Sequence, residues 1–296
     1  MKKIIPLLSL VLLLFTSCNN KPVQESSEPK SEESPVSESS IEETSSEEQS
    51  YEESESESES ESESPSSSES ESEVDPNAKY YESVDTSSLA SIKSTLQTLM
   101  FKTHTKYLTY GEIRYLFKYS DADPNVSGNI LCFYSRKSMN GTWDQGKTYN
   151  REHVWPKAKS AGLYNNMGSD TNYKGPGSDL HHIRPTDVDV NTARGSSPFG
   201  QGGYMPEPDV RGDCARIIMY MYVHYCSYCN GQNVKSDYVA ELMITSVFKS
   251  IDELKQWNQD DPVDDLERAR NEYVYKKQGN RNPFIDHPEW VNKCLL

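Results

Sequence analysis

The sequence predicts an α+β fold, a mostly helical domain preceded by a disordered acidic stalk, and three observations predict it. Residues 21–75 hold 21 serines and 20 acidic side chains, with only Val23, Val36, Ile41, Tyr51 and Val74 as apolar groups. So little apolar surface cannot offset the entropy of ordering the chain. From residue 88 onward, apolar residues recur at helical spacing in several separate runs. A short apolar strand pattern and a long segment, 135–212, rich in Gly, Pro, Asn and Asp, interrupt those runs. A long irregular stretch inside a compact domain is usually functional.

The chain begins as an export signal. Lys2-Lys3 precede the apolar run Ile4 to Phe15, too short to span a bilayer. The run ends at Phe15-Thr16-Ser17-Cys18, which resembles a bacterial lipoprotein signal whose cysteine becomes an acylated N-terminus. The expected organisation is a signal over 1–17 with Cys18 lipidated, a disordered linker over 18–78 and a folded domain over 79–296. The protein is expected to be exported, anchored to the membrane through the Cys18 lipid, or secreted if the signal is cut without acylation. Ser and Glu alternate without a break from Glu53 to Ser64. Even an ideal flexible chain of the linker's length spans about 40 Å, enough to hold a domain off a membrane.

The net charge of −16 at first argues against a protein that handles nucleic acid. Its location reverses the argument. Residues 21–75 set 20 acids against Lys21 and Lys30, a net of −18, and Lys2 and Lys3 precede them. Residues 76–296 are therefore electrically balanced, and local charge decides what they bind. The composition excludes a collagen, a multi-span membrane protein and a chain disordered throughout.

Within the domain, Leu89, Ile92, Leu96 and Leu99 follow a Thr86/Ser87/Ser88 capping cluster and predict the first helix. A second is expected over about 110–119, ended by the breakers at 121–125 and 127–129. Ile130 to Tyr134 then reads as a buried strand. Helix resumes at Asp213 with an apolar stripe of Ile217, Ile218, Met221, Tyr222 and Tyr225, which faces the core. Further helices are expected over about 235–249 and 250–275, before a terminal segment Gly279-Asn-Arg-Asn-Pro-Phe-Ile-Asp-His-Pro288.

Three of the six histidines fall in the irregular stretch, in Tyr149-Asn-Arg-Glu-His-Val-Trp-Pro156 and in the segment from Ser178 to Gly195. Glu152 adjoins His153, so on an extended backbone the two project oppositely unless a bend brings them together. The second segment offers a short strand, Leu180 to Ile183, and a helix start at Pro185-Thr186. Asp187 and Asp189 fall in that helix's first turn and Asn191 about one turn further on. Glu152 and Asn191 as oxygen donors suit a hard cation such as Mg²⁺ better than Zn²⁺.

These two segments together, Asn150-Arg-Glu-His-Val-Trp-Pro156 and Asp179-Leu-His-His with Asn191-Thr-Ala-Arg194, resemble the bacterial endonuclease I family. Gly212-Asp-Cys-Ala-Arg216 and Gln278 to Pro288 are similar to it as well, particularly to its secreted nuclease and ribonuclease branch. The resemblance covers roughly residues 85–293. It implies a ββα-metal (His-Me) finger at the centre of the helical domain. It further implies Glu152 and Asn191 as metal ligands, His153 as general base and 5′-phosphate and 3′-hydroxyl products. Mg²⁺ is the expected metal, with Ca²⁺ or Mn²⁺ as alternatives. Some relatives supply an arginine from the loop between the finger segments, whereas residues 157–178 contain none. Lys174, Arg184 or Arg194 would substitute, with Arg184 and Arg194 taken as catalytic and Arg151, Lys174, His181 and His182 as substrate-binding. Asp179, His181 and His182 match positions that are either architectural or catalytic.

The expected function is a metal-dependent endonuclease, monomeric, acting on DNA, RNA or both with little sequence specificity. The rival is a surface-anchored binding lipoprotein that has lost catalysis. Cys226-Ser-Tyr-Cys229 could be half a zinc site or a redox pair, but no second pair at zinc spacing follows. Cys226, Cys229, Cys132, Cys214 and Cys294 are better read as structural thiols or partial disulfides of an exported protein. Arg281, Asp286 and His287 in the tail either reach the cleft or staple the C-terminus to the core.

Overall fold

A computed structural model describes residues 75–161, 163, 167–226 and 234–296 of the protein. The signal, Cys18, the Ser-Glu repeat and Cys229 lie outside these residues. The described chain is α+β: ten helices and two small two-stranded sheets. None of its helices is long and apolar enough to cross a membrane.

Helix α1 (Leu89–Thr103) starts where its cap predicts, with the Ser88 hydroxyl accepting from Ser91 N–H at 3.1 Å. The helix expected over 110–119 is two single turns, α2 (Tyr110–Ile113) and α3 (Phe117–Ser120). The Thr109/Glu112 capping box fixes the start of the first turn. Strand β1 (Asn129–Leu131) pairs antiparallel with β2 (Ser138–Asn140). It is shorter than the Ile130–Tyr134 run because Phe133 turns away to donate its N–H to Pro185 O at 2.8 Å. β3 (Tyr149–His153) pairs with β4 (Ile183–Asp187), and α4 (Val188–Arg194) follows.

This second sheet corrects two expectations. Leu180 to His182 form a turn, and Pro185-Thr186 lie inside β4 rather than at a helix start. Proline is tolerated there because its missing N–H serves no partner while its carbonyl accepts from Phe133. The helix begins three residues later, at the stronger cap Asp187.

Helix α5 (Arg211–Tyr225) is buried on every side rather than along one stripe. α1, α7 (Ile251–Asp260) and α9 (Pro283–Asp286) pack around it. Its polar side chains are accommodated by pairing: Arg216 Nε donates to Glu267 Oε1 at 2.8 Å and Nη1 to Asp261 O at 2.8 Å. Gly212 is required at its first turn, since a Cβ would meet Asp261 O at 2.1 Å. After α6 (Val234–Val247), the helix expected over 250–275 is split by Pro262 into α7 and α8 (Asp265–Gln278), the second capped by Asp264. The chain ends in α10 (Trp290–Lys293). Arg281 bonds Asp286 at 2.6 Å, and Tyr81 donates to the same carboxylate at 2.6 Å, so the tail group staples the terminus to the core. Cys132, Cys214 and Cys294 are buried thiols, and burial pushes Cys132 and Cys294 up to about 12.

A second, smaller apolar cluster lies under the β3/β4 sheet, built from Ile113, Phe117, Ile130, Tyr149, Leu180, Ile183 and Val274. It anchors the sheet that carries the sequence-predicted site.

Candidate active site

The two histidine-bearing segments meet as β3 and β4. Their register sets Tyr149 opposite Asp187, Arg151 opposite Pro185, Glu152 opposite Arg184 and His153 opposite Ile183. The Asp187 carboxylate accepts from Val190 N–H at 3.2 Å and starts α4 directly after β4. Glu152, His153 and Asn191 thereby share one strand–strand–helix unit.

Strand alternation gives the neighbouring Glu152 and His153 different surroundings. Glu152 is 4% exposed. Tyr134 donates to its Oε1 at 2.8 Å, and Arg194 Nη1 lies 3.2 Å from the same oxygen. Burial raises its pKa to about 7 despite the opposing charge of Arg194 and the hydrogen bond from Tyr134. The His153 ring stacks on Tyr110, centroids 5.4 Å apart, and meets the edge of His182 at 5.6 Å. Burial, with His182 and Lys157 adding to it, lowers its pKa to about 3, while a backbone hydrogen bond to Gly177 opposes. The ring is therefore neutral near pH 7. Its Nε2 is buried without a hydrogen-bond partner, an arrangement that costs stability unless a ligand or water completes it. Asn191, half-buried on α4, donates through Nδ2 to Asn150 Oδ1. Its own amide oxygen is thus left as an acceptor.

His181 and His182 are buried scaffold. His182 accepts Trp155 N–H at 2.9 Å and bonds Pro176 O at 2.9 Å through Nδ1. His181 Nε2 bonds Asn280 O at 2.9 Å. Burial lowers both to about 4, so neither carries charge to a phosphate at neutral pH. Asp179, fully buried, accepts from Tyr220 at 2.5 Å, Tyr225 at 2.7 Å, Gln278 at 2.9 Å and its neighbour His181 N–H at 2.8 Å. These bonds and the nearby His104, His181 and His224 hold its carboxyl well below the usual range against the cost of burial.

Two donor sets could hold a metal. The sequence-predicted pair, Glu152 on β3 and Asn191 on α4, offers oxygen donors from one strand–strand–helix unit. His104, Asp179 and His224 form a buried set whose ligand atoms lie within 4.8 Å of one another, with His104 Nδ1 3.3 Å from His224 Nε2. The histidine spacing matches the edge of a tetrahedral zinc site, about 3.4 Å. Asp179, however, has both oxygens committed to four donors and sits 3.9 Å from His104 Nδ1. That second set is chiefly a hydrogen-bonded hub tying α5 and α8 to the finger.

The basic residues divide by partner. Arg184 Nε binds Asp121 at 2.8 Å and lines a cavity of about 220 Å³ with Asp121, Arg136 and Arg270. Arg194 spans Glu152, Val154 O at 2.7 Å and Gly195 O at 3.2 Å. Both were expected to act on a phosphate and are instead held inside the fold by carboxylates. Arg151 is half-buried, donates to Tyr110 O and lies 3.7 Å from the centroid of that ring. Lys174 is exposed near Glu112. Sequence reasoning missed Tyr134, Asn150 and Tyr110 beside the site, and the Asp121 that claims Arg184. Only Asn150 carried a signal, by preceding Arg151 within the first segment.

The endonuclease I family matches the chain over residues 88–205 and 203–289. An extracellular ribonuclease of Bacillus subtilis (strain 168) is 37% identical over 232 residues, covering 72% of this chain and 77% of the relative. An extracellular ribonuclease of Bacillus amyloliquefaciens is 35% identical over 241 residues, with the same coverage of 72% and 77%.

Proposed function

The chain belongs to the endonuclease I family and is a nuclease, and from that premise we propose an exported, cation-dependent endonuclease that hydrolyses phosphodiester bonds of RNA, DNA or both with little base specificity. The names of its Bacillus relatives favour RNA as the first substrate to try. The reading is carried by one observation: the neutral His153 has a buried, unpartnered Nε2 on β3, the strand that also carries Glu152 and whose Asn150 accepts from Asn191 of α4.

The residues present fit a hard divalent cation. Glu152 and Asn191 offer oxygen donors, and the Tyr134 and Arg194 interactions both fall on Glu152 Oε1, so the other carboxylate oxygen is the one to ligate. A carboxyl that burial raises to about 7 also gains strongly from added positive charge. Mg²⁺ suits such a site because it keeps several waters and needs few protein ligands, with Mn²⁺ or Ca²⁺ as substitutes.

When bound, the cation would offset charge on the scissile phosphate and on the departing 3′ oxygen. His153 Nε2 accepts a proton from water as its oxygen attacks phosphorus, and cleavage of the P–O3′ bond, with the departing 3′ oxygen taking a proton from solvent, leaves a 5′-phosphate and a 3′-hydroxyl. Arg194 favours the ionised form of Glu152 and fixes its carboxylate, and so acts as a positioning residue. Arg151, which no carboxylate among the described residues approaches within 4 Å, presents its guanidinium to the substrate backbone. His181 and His182 hold the surrounding loops, and Lys174 adds exposed positive charge.

Chelation of the purified protein should abolish cleavage of RNA and plasmid, Mg²⁺ should restore it, and the products should carry 5′-phosphates. Activity that persists in chelator, or 5′-hydroxyl ends, overturns the mechanism. The leader supports Cys18 as a lipid-bearing N-terminus. Equal incorporation of labelled fatty acid by Cys18→Ser would refute that, and sedimentation as a dimer would refute the monomer.

A further inference from the structure

Seven of the described arginines, Arg136, Arg184, Arg194, Arg216, Arg268, Arg270 and Arg281, lie within 4.0 Å of a carboxylate oxygen. Arg114, Arg151 and Arg211 do not; Arg211 is taken up by Pro206 O at 3.2 Å and the Trp257 ring, 5.7 Å from its Cζ, whereas Arg114 and Arg151 belong to one strip that leads to His153. From its outer end, the exposed Tyr115 ring lies 4.9 Å from Arg114 Cζ, which lies 5.8 Å from the Trp143 centroid. Arg151 Cζ is 5.3 Å from Trp143 and 3.7 Å from Tyr110. Tyr110 in turn stacks on His153. Rings and guanidinium groups thus alternate from solvent to the proposed base.

Two details show that the charge on this strip is uncommitted. Arg114 Nε is buried without a partner. The acids nearest in sequence are engaged elsewhere: Glu112 on the Thr109 backbone and hydroxyl, Asp144 on the N–H groups of Lys147 and Thr148, and Glu152 with Tyr134 and Arg194. Trp143 is half-buried, wedged edge-on against Tyr149 at 5.5 Å, which fixes its ring at the surface. Aromatic faces with interleaved guanidinium groups match a strand whose bases are unstacked and whose phosphates need counter-charge. A duplex presents no base faces to such rings.

We propose that this strip is the track for an unpaired nucleic-acid strand: Tyr115 and Trp143 take bases, Arg114 and Arg151 take phosphates, and the strand is delivered to His153. The inference rests on the nuclease reading for what happens at the inner end, but binding along the track is separable from cleavage.

The test uses full-length protein carrying His153→Ala, so that strands survive, and measures binding of a fluorescent oligouridylate and of an abasic oligomer of equal length. Adding Trp143→Ala or Tyr115→Ala should weaken oligouridylate binding about 5- to 150-fold, the usual worth of one stacked base, and leave the abasic oligomer within about twofold. Tyr115, 55% exposed, keeps the test valid if the tryptophan variant fails to fold. Arg114→Gln should weaken both oligomers alike and flatten the salt dependence of binding by about one ion. Equal losses on both oligomers from the ring variants, or no loss, overturn the track. If wild-type protein cleaves nothing while the base-dependent pattern holds, the nuclease mechanism fails and the track stands.

Discussion

Replacing Arg194 with methionine isolates what holds the Glu152 carboxylate. The guanidinium is 1% exposed, sits 3.2 Å from Glu152 Oε1, donates to Val154 O at 2.7 Å and packs 4.7 Å from the Phe199 centroid. Methionine keeps most of the apolar contact and removes the charge. Taking one partner from a buried ion pair costs about 3–5 kcal/mol, because the other charge stays buried alone. For a domain of this size that corresponds to a fall in Tm of about 6–20 °C. The loss should depend on pH. With Arg194 present the Glu152 pKa is already raised to about 7, and Arg194 is the largest cause opposing that rise, so its removal raises the pKa further. Below that value the carboxyl is neutral in both proteins and the pair has little to lose, whereas above it the variant holds a proton that wild type has released, and the loss grows by about 1.4 kcal/mol per pH unit up to the variant's own pKa. Urea unfolding at pH 6 and pH 8 of wild type, Arg194→Met, Glu152→Gln and the double variant measures this. Arg194→Met should be more destabilised at pH 8, and Glu152→Gln should recover at least half of that loss. A cost below about 1 kcal/mol at pH 8, or no recovery in the double variant, would refute the pairing as the reason Arg194 is buried.

Other outcomes follow from the buried titratable groups and one glycine. His181, His182 and His224 are lowered by burial to about 4, 4 and 3. The unfolded chain therefore takes up protons below about pH 6.5 that the folded chain refuses. Stability should be full above that pH and fall towards pH 4, by about 1.4 kcal/mol per pH unit for each histidine not offset. Glu267, raised by burial and by Asp213, acts in the opposite sense, and denaturation midpoints unchanged from pH 6.5 to 4.5 would contradict the account. Mg²⁺ affinity measured by calorimetry should tighten about tenfold as pH rises through 7, since Glu152 must lose its proton to ligate, and a flat profile would exclude Glu152 as a ligand. Gly279→Ala should lower stability by at least about 1–2 kcal/mol. Gly279 ends α8 at φ +94°, and a Cβ there would meet Thr103 O at 2.4 Å; an unchanged melting temperature would refute that strain.

The sequence carried the fold class and the identity of the finger segments, because both depend on local signals. Ser88 capped α1 as read, and the helical runs from 89 and 213 were placed by their apolar spacing. Boundaries failed where a distant contact outweighed a local rule. Pro185 looked like a helix start, yet its carbonyl is needed by Phe133, 52 residues earlier, which keeps it in the strand. Pro262 was the opposite case, a local breaker that the long run over 250–275 concealed. Roles for Arg184 and Arg194 could not be read from sequence, because their carboxylates, Asp121 and Glu152, come from 63 and 42 positions away. The Asp179 hub was invisible for the same reason: its donors Tyr220, Tyr225 and Gln278 lie 41, 46 and 99 residues distant.

The most direct measurement compares single-turnover cleavage of a labelled RNA by wild-type protein and His153→Ala with Mg²⁺ present. Loss of a positioned base should slow cleavage by about two to four orders of magnitude, with folding of the variant verified by its melting curve. A folded His153→Ala protein that cuts at near wild-type rate would contradict the assignment of His153 Nε2 as the proton acceptor.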